Sequence, residues 1–262
     1  MKTKKQNVIV ITGASSGVGE GLLKLYKNDG DIVVNLSKSV QIENKLNYRC
    51  DVTSEADVKR AIDGIREDFG KIDILINCAG FGVFGAIELT PVENIKKMFD
   101  VNLFGAITVT QYALKLMSAG AKIINISSAC ALFSVPFRSL YSASKSALNM
   151  FSYGLYMELK SSKIQVTAIC PGDIKTNFSK NRDITPLTNE RYGKRIEESI
   201  NSINNRQSKR MNRDVACKKI YKIINKKKLK PMYIVSKLYN FLYFAKRFSS
   251  EKALLNVTNK MF

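Results

Sequence analysis

Residues 7–30 constrain the fold more than any other stretch. Asn7–Ile11 (NVIVI) is a continuous apolar run, the pattern of a strand buried on both faces in a parallel sheet. It leads straight into Thr12-Gly13-Ala14-Ser15-Ser16-Gly17-Val18-Gly19. A helical pattern then runs through Leu22, Leu23 and Tyr26 and ends near Asp29-Gly30. A strand feeding a glycine-rich turn at the head of a helix lets backbone N–H groups approach a phosphate, whose charge the helix N-terminus favours. For one such motif taken alone, an ordinary tight turn is the alternative.

The alternation repeats along the chain. Asp31–Leu36, Tyr48–Cys50, Ile72–Ile76, Lys122–Ile126 and Gln165–Ile169 read as further strands, and Met232–Val235 as a seventh. Ser54–Phe69 reads as a helix with Ser54 as its N-cap, and Pro91 opens a helical region that contains Asn102 and reaches Met117. Another helix starts around Tyr141, and Asp214–Asn225 follows the same pattern. The expected class is α/β: a Rossmann-like, doubly wound parallel sheet of about seven strands in the order 3-2-1-4-5-6-7, with helices on both faces and right-handed crossovers. Such sheets bind ligands outside the carboxyl ends of their strands. Gly13 to Gly19, Asn77 to Gly80, Ser128 and Pro171-Gly172 all fall there, so residues scattered in sequence should converge in space.

Tyr141 and Lys145 are four apart, on one face of a helix that continues as Leu148, Phe151, Leu155 and Leu159. A lysine on a buried stripe needs a partner. A tyrosine, with a reference pKa of roughly 10, becomes a better acid beside an ammonium group. The pair therefore reads as a tuned proton donor and acceptor, against the alternative of a core tyrosine and a snorkelling lysine. The chain has no His. That removes His general bases, Ser-His-Asp triads and His-ligated metals, and no metal is expected. Five Cys without a C-x-x-C pair suggest reduced, mostly buried thiols. The run Val8–Ile11 is too short for a signal peptide and no run is long enough to span a bilayer, so a cytoplasmic protein is expected.

At the end of the second strand, eighteen residues past Gly19, a carboxylate would grip the ribose 2′-hydroxyl of NAD. Ser37 and Lys38 stand there instead. A hydroxyl and a cation suit a 2′-phosphate, so NADP(H) is favoured over NAD(H), although Ser16 adds no positive charge; an ordinary loop lysine is the alternative.

Thr12–Gly19 (TGASSGVG), Asn77–Gly80 (NCAG), Asn102, Ser128, Tyr141–Lys145 (YSASK) and Pro171-Gly172, in this order, resemble the short-chain dehydrogenase/reductase family over roughly residues 7–176. The resemblance implies a fold, an activity and roles by position. Gly13, Ser15, Ser16, Gly17, Val18 and Gly19 would line the cofactor pyrophosphate. Ser37 and Lys38 would meet the adenosine ribose, Asp51 and Val52 would border the adenine, and Asn77, Ala79 and Gly80 would support the adenosine half. Tyr141 would be the general acid/base. Lys145 would hold the nicotinamide ribose hydroxyls and lower the tyrosine pKa. Ser128 would bind the substrate carbonyl, its spacing to Tyr141 favouring it over Ser127. Asn102 would hold a water linking Lys145 to solvent. Pro171, Gly172, Ile174 and Thr176 would flank the nicotinamide. Cys78 replaces the second asparagine usual in NNAG. A non-catalytic NADP(H)-binding regulator on the same fold is the rival reading, and intact Ser128, Tyr141 and Lys145 argue against it.

Phe81, Val83, Phe84, Leu132, Phe133, Val135 and Phe137 flank these motifs and suggest an apolar pocket, although aromatic residues are more often plain core. The expected reaction interconverts a ketone and a secondary alcohol on a hydrophobic small molecule, hydroxysteroid- or bile-acid-like or an acyl-chain ketone. A single domain over 1–262 is expected, with a substrate lid at 173–212 and a basic extension at 213–262, assembling as a homodimer or homotetramer. Residues 1–174 hold 20 Lys+Arg and 16 Asp+Glu (+4), whereas residues 175–262 hold 22 and 6 (+16). That charge could answer an anionic substrate, an acidic lipid surface or nucleic acid, or be a solvated surface. No zinc-finger or aromatic–basic reader motif accompanies it, so nucleic acid is not the expected partner. Leu238–Arg247, aromatic residues followed by cations, could lie on a membrane, cap the pocket or pack in a dimer.

Overall fold

A computed structural model describes residues 6–176, 183–184, 189–205 and 210–261. Seven parallel strands form one sheet: β1 (Val8–Thr12), β2 (Ile32–Ser37), β3 (Asn47–Arg49), β4 (Ile74–Asn77), β5 (Lys122–Ile126), β6 (Gln165–Pro171) and β7 (Met232–Val235). Their order is 3-2-1-4-5-6-7, as the alternation of elements predicts. β1 pairs with β2 on one side, Val10 opposite Val34, and with β4 on the other, Val10 opposite Leu75.

Every residue of β1 is buried because helices cover both faces. Side chains alternate across the sheet. Ile9 and Ile11 pack with Leu22 of α1 (Gly17–Asn28) and with Ile220 and Ile224 of α7 (Arg213–Ile224). Val10 faces the other core, with Val58, Ile62 and Ile65 of α2 (Glu55–Phe69), Val109 of α4 (Gly105–Ala113) and Leu155 of α5 (Ser139–Glu158). The order of strand addition reverses between β1 and β4, which opens a crevice at their carboxyl ends. Thr12 fixes its floor: its Oγ1 accepts the N–H groups of Cys78 and Ala79, both at 3.0 Å.

Two helices differ from the expected pattern. The region opened by Pro91 is not continuous; α3 (Val92–Phe99) and α4 are joined by a π turn at Asp100–Phe104. The extra residue in that turn rotates Asn102 inward until it is 1% exposed. In α5 the buried face carries Ser144, Asn149 and Ser152 beside Lys145, Leu148 and Leu155. Phe151 and Leu159 are only half-buried, so the stripe is more polar than the apolar spacing suggested. The serines permit close approach to the sheet and feed a hydrogen-bonded chain: Asn77 Nδ2 donates to Asn125 Oδ1 (2.8 Å), Asn125 Nδ2 to Ser152 Oγ (2.8 Å), and Ser152 to the Leu148 carbonyl (2.7 Å).

Beyond β6, Ile174–Lys175 pairs with Met211–Asn212, which closes the base of the segment expected to be a lid. Asp183–Ile184 pairs with Val83–Phe84. Part of that segment, including Arg182, Arg206 and Lys209, lies outside the described residues. α6 (Arg195–Asn205) follows within it. The C-terminal stretch folds as α8 (Lys237–Ala245), a 3₁₀ turn at Lys246–Phe248, and α9 (Glu251–Met261).

Candidate active site

The carboxyl ends of β1, β4, β5 and β6 enclose a cleft of about 260 Å³. One wall is backbone. A Cβ added at Gly13 would stand 2.9 Å from Ala79 Cα, and one at Gly19 would stand 2.5 Å from the Gly13 carbonyl oxygen. Gly13 and Gly17 have φ of 67° and 58°, a conformation costly for other residues. α1 starts at the same point, and its N-cap Ser16 makes no side-chain cap, so the first-turn N–H groups face the cleft side of the turn unscreened by a hydroxyl. A cradle of bare backbone at a helix N-terminus fits a dinucleotide pyrophosphate.

The opposite wall carries side chains of α5 and β5. Tyr141 and Lys145, one helical turn apart, both line the cleft. Lys145 is 4% exposed and its Nζ donates to the Ile126 carbonyl at 3.0 Å. Burial drives its ammonium down to about 8. The two serines that end β5 separate. Ser127 is buried and its hydroxyl donates to the Lys145 carbonyl (3.2 Å). Ser128 lies half-exposed on the cleft; its Oγ accepts from the Cys130 N–H (3.1 Å), which leaves its own proton to donate.

Asn102 clamps the chain after β4. Its Oδ1 accepts from Phe81 N–H, and its Nδ2 donates to the Phe81 carbonyl, both at 3.0 Å, and to Ser144 Oγ at 3.1 Å. Gly80 fits beneath it: a Cβ there would stand 2.8 Å from Asn102 Oδ1 and 3.4 Å from Lys145 Nζ. Gly80→Ala should therefore lower stability by about 1–3 kcal/mol and reduce turnover, because Asn102 must move off Phe81. Paired urea melts and initial rates check this; an unchanged midpoint with full activity would mean that the clamp is slack.

The other positions marked in the sequence fall into three groups. Ser15, Ser16, Val18, Ala79, Pro171, Gly172, Ile174 and Thr176 join the cleft lining. Ser37, Lys38, Asp51 and Val52 lie beyond it at the ends of β2 and β3. Ser37 is 4% exposed and donates inward to Asn35 Oδ1 (2.6 Å), so Lys38 is the group that reaches solvent. Lys38 Nζ pairs with Asp51 Oδ2 at 2.6 Å. Burial pushes the Asp51 carboxyl up, but hydrogen bonds from Lys38 and Thr53 outweigh it and hold the group below the ordinary aspartate range. Val52 packs where a Cβ at Gly105 would come within 2.7 Å. Asn77 points into the fold, its Nδ2 donating to Asn125 Oδ1 (2.8 Å) and to Thr110 Oγ1 (3.0 Å).

Of the residues expected as pocket walls, Phe81, Val83 and Phe84 line the cleft. Leu132, Phe133 and Val135 are buried core instead, the first two under Tyr239 of α8. Phe137, at φ 58°, packs between Phe84 and Tyr192 with ring centroids 6.2 and 6.1 Å away. Among the described cations of the lid segment, Arg210 lines the cleft, Arg191 pairs with Glu88 (2.9 Å), and Arg195 sits over the Phe137 ring.

Arg138 and Asp173 also line the cleft and escaped the sequence reading. Arg138 is 7% exposed and is the N-cap residue of α5, three residues before Tyr141. Asp173 follows Pro171-Gly172 and accepts from the Tyr239 hydroxyl at 3.4 Å. Tyr239 in turn covers Gly172, where a Cβ would come within 2.8 Å of the ring.

The family profile described as short chain dehydrogenase matches residues 7–186. A 3-ketodihydrosphingosine reductase of Bacteroides thetaiotaomicron is 36% identical over 202 residues, 75% of each chain. An 11-beta-hydroxysteroid dehydrogenase-like 3 protein of Arabidopsis thaliana is 33% identical over 205 residues, 71% of this chain and 62% of that one. Among solved structures, a short-chain dehydrogenase from Streptomyces avermitilis superposes with a TM-score of 0.83 over 97% of this chain and 96% of its own, at 24% identity, a likeness of fold.

Proposed function

The chain belongs to the short-chain dehydrogenase family, and from that membership we propose an NADP(H)-dependent oxidoreductase that interconverts a ketone and a secondary alcohol on a hydrophobic substrate. The observation that carries this reading is Tyr141 and Lys145 side by side in a cleft that also has a glycine-backbone wall. A nicotinamide dinucleotide, when bound, supplies or accepts the hydride. The Gly13–Gly19 turn would hold its pyrophosphate, Lys145 its nicotinamide ribose, and Pro171, Gly172, Ile174 and Thr176 would flank the ring.

The proton work belongs to the chain. In reduction the Tyr141 hydroxyl protonates the developing alkoxide, and in oxidation the phenolate takes that proton back. The Lys145 ammonium stabilises the phenolate, an interaction strengthened by its removal from water. Ser128 donates a second hydrogen bond to the reacting oxygen. Asn102 positions the Gly80–Phe81 backbone beside Lys145 and would hold a water linking Lys145 to solvent. Phe81, Val83 and Phe84 supply an apolar surface, whereas Arg138, Asp173 and Arg210 bring charge to the same cleft. An amphiphile suits that combination: an acyl-chain ketone with a polar head, or a steroid-like ketone. The names of the two relatives above point to the same classes.

The test is NADPH and NADH oxidation against long-chain, steroid and sugar ketones. Lipophilic ketones should be turned over with NADPH preferred; turnover of small polar sugars alone would overturn the substrate reading. Lys38→Ala should lower kcat/KM for NADPH about tenfold and leave NADH nearly unchanged, since only the former carries a 2′-phosphate for the cation to meet. An equal fall for both cofactors would remove Lys38 from cofactor choice.

A further inference from the structure

α8 has two faces with different occupants. Tyr239, 8% exposed, packs with Leu242 and Tyr243 onto Ala129, Leu132, Phe133 and Cys170. The outer side carries Leu238, Phe241 and Phe244, and the 3₁₀ turn adds Phe248; they are 53, 67, 59 and 78% exposed. The spacing places them along one side of the helix. The Phe244 and Phe248 rings meet edge to face with centroids 5.3 Å apart, so the outer side is a continuous aromatic ridge. A soluble surface seldom carries such a ridge without a partner for it.

The surrounding charge says which partner. Lys237 and Arg247 are exposed beside the ridge, and Lys246, also exposed, donates from its Nζ to the Leu132 carbonyl at 3.3 Å. Residues 236–262 carry five Lys+Arg (Lys237, Lys246, Arg247, Lys252, Lys260) against Glu251 alone. Phenylalanines flanked by cations favour the boundary between acyl chains and anionic headgroups, where the rings leave water and the cations meet lipid phosphates. Such a segment would lie on a membrane rather than through it, since no helix among the described residues is long and apolar enough to cross one.

We propose that the outer face of α8 and the Lys246–Phe248 turn form a docking patch for an anionic lipid bilayer. On its inner side the same helix touches Gly172 and Asp173, which line the cleft, so docking brings the substrate end of the cleft beside the lipid. Delivery of a lipid ketone from the bilayer rests on the oxidoreductase reading above; docking itself does not.

The experiment is co-sedimentation of the full chain with phosphatidylcholine vesicles, with and without phosphatidylglycerol, at low and physiological salt. The protein should pellet with the anionic vesicles, and less so as salt rises. The triple variant Phe241→Ser/Phe244→Ser/Phe248→Ser should bind roughly tenfold more weakly or worse. The double variant Lys237→Glu/Arg247→Glu should lose at least roughly thirtyfold, and selectively for the anionic vesicles. These side chains are exposed, so both variants should keep the wild-type melting temperature and the wild-type rate on a water-soluble ketone. Absence of vesicle binding, or binding that the triple variant leaves unchanged, overturns the proposal. So does a dimer that the triple variant dissociates while the wild type ignores vesicles, because the ridge is then a contact between copies. Vesicle binding by a protein that reduces no ketone would uphold docking and sink the oxidoreductase reading instead.

Discussion

Tyr141→Phe is expected to lower turnover roughly a thousandfold while dinucleotide affinity stays within about threefold of wild type. The substitution removes one oxygen and leaves the ring in the cleft wall. Lys145, Ser128 and the glycine turn keep their places, so binding should survive. What disappears is the proton for the alkoxide, which no neighbour can replace: Ser127 is committed to the Lys145 carbonyl, and the chain has no His to stand in. Stopped-flow fluorescence of NADPH binding beside steady-state rates separates the two effects. A variant that retains wild-type turnover would show that the phenol is only a spacer.

Lys145→Met should act in two opposite directions. Turnover should fall at least about a hundredfold, since the phenolate loses its cation. Stability of the cofactor-free protein should rise. The ammonium is held near 8 in the fold against 10.5 for the free group, so at neutral pH its burial opposes folding by about 3 kcal/mol. Methionine fills the same volume without that charge, although it leaves the Ile126 carbonyl without its donor, so a net gain of roughly 1–2 kcal/mol is expected.

The pH dependence has a worked sign. Between about 8 and 10.5 the folded chain binds fewer protons at Lys145 than the unfolded chain, so stability climbs with pH there. Buried thiols act the other way. Burial pushes Cys50 up to about 12, and Cys170 and Cys217 up to about 11. Above their ordinary value of 9 the unfolded chain sheds protons that the fold retains, and stability is lost. Wild type should therefore melt highest at about pH 8–9. Lys145→Met should lose the rising limb and keep the falling one. Melting curves in a reducing buffer across that range test both, and an identical profile for the two proteins would mean that Lys145 is not desolvated.

Most strands were legible because they are short, largely apolar runs bounded by glycine, serine, asparagine or proline; Lys122–Ile126 and Met232–Val235 match the sequence reading residue for residue. Local pattern failed where a tertiary hydrogen bond decides the conformation. The π turn at Asn102 exists because its amide satisfies both backbone groups of Phe81, twenty-one residues away, which no periodicity records. Likewise Leu132 and Phe133 are core because α8, more than a hundred residues on in sequence, lies over them. The site residues were legible in a different sense. Gly13, Gly19 and Gly80 announce close backbone contacts, whereas the pairing of Lys38 with Asp51 depends on β2 and β3 ending side by side. Arg138 was hidden because one arginine before a helix carries no signal of its own.

Tyr239 lies over Gly172 with no room for even a methyl group between them. The last helices and the loop after β6 are therefore not independent modules: a lineage that enlarges residue 172 must rebuild its tail, and one that exchanges the tail must refit the loop. Chimeras that graft a foreign C-terminus onto this sheet would inherit a mismatch at the wall of the cleft, far in sequence from the splice and directly beneath it in space.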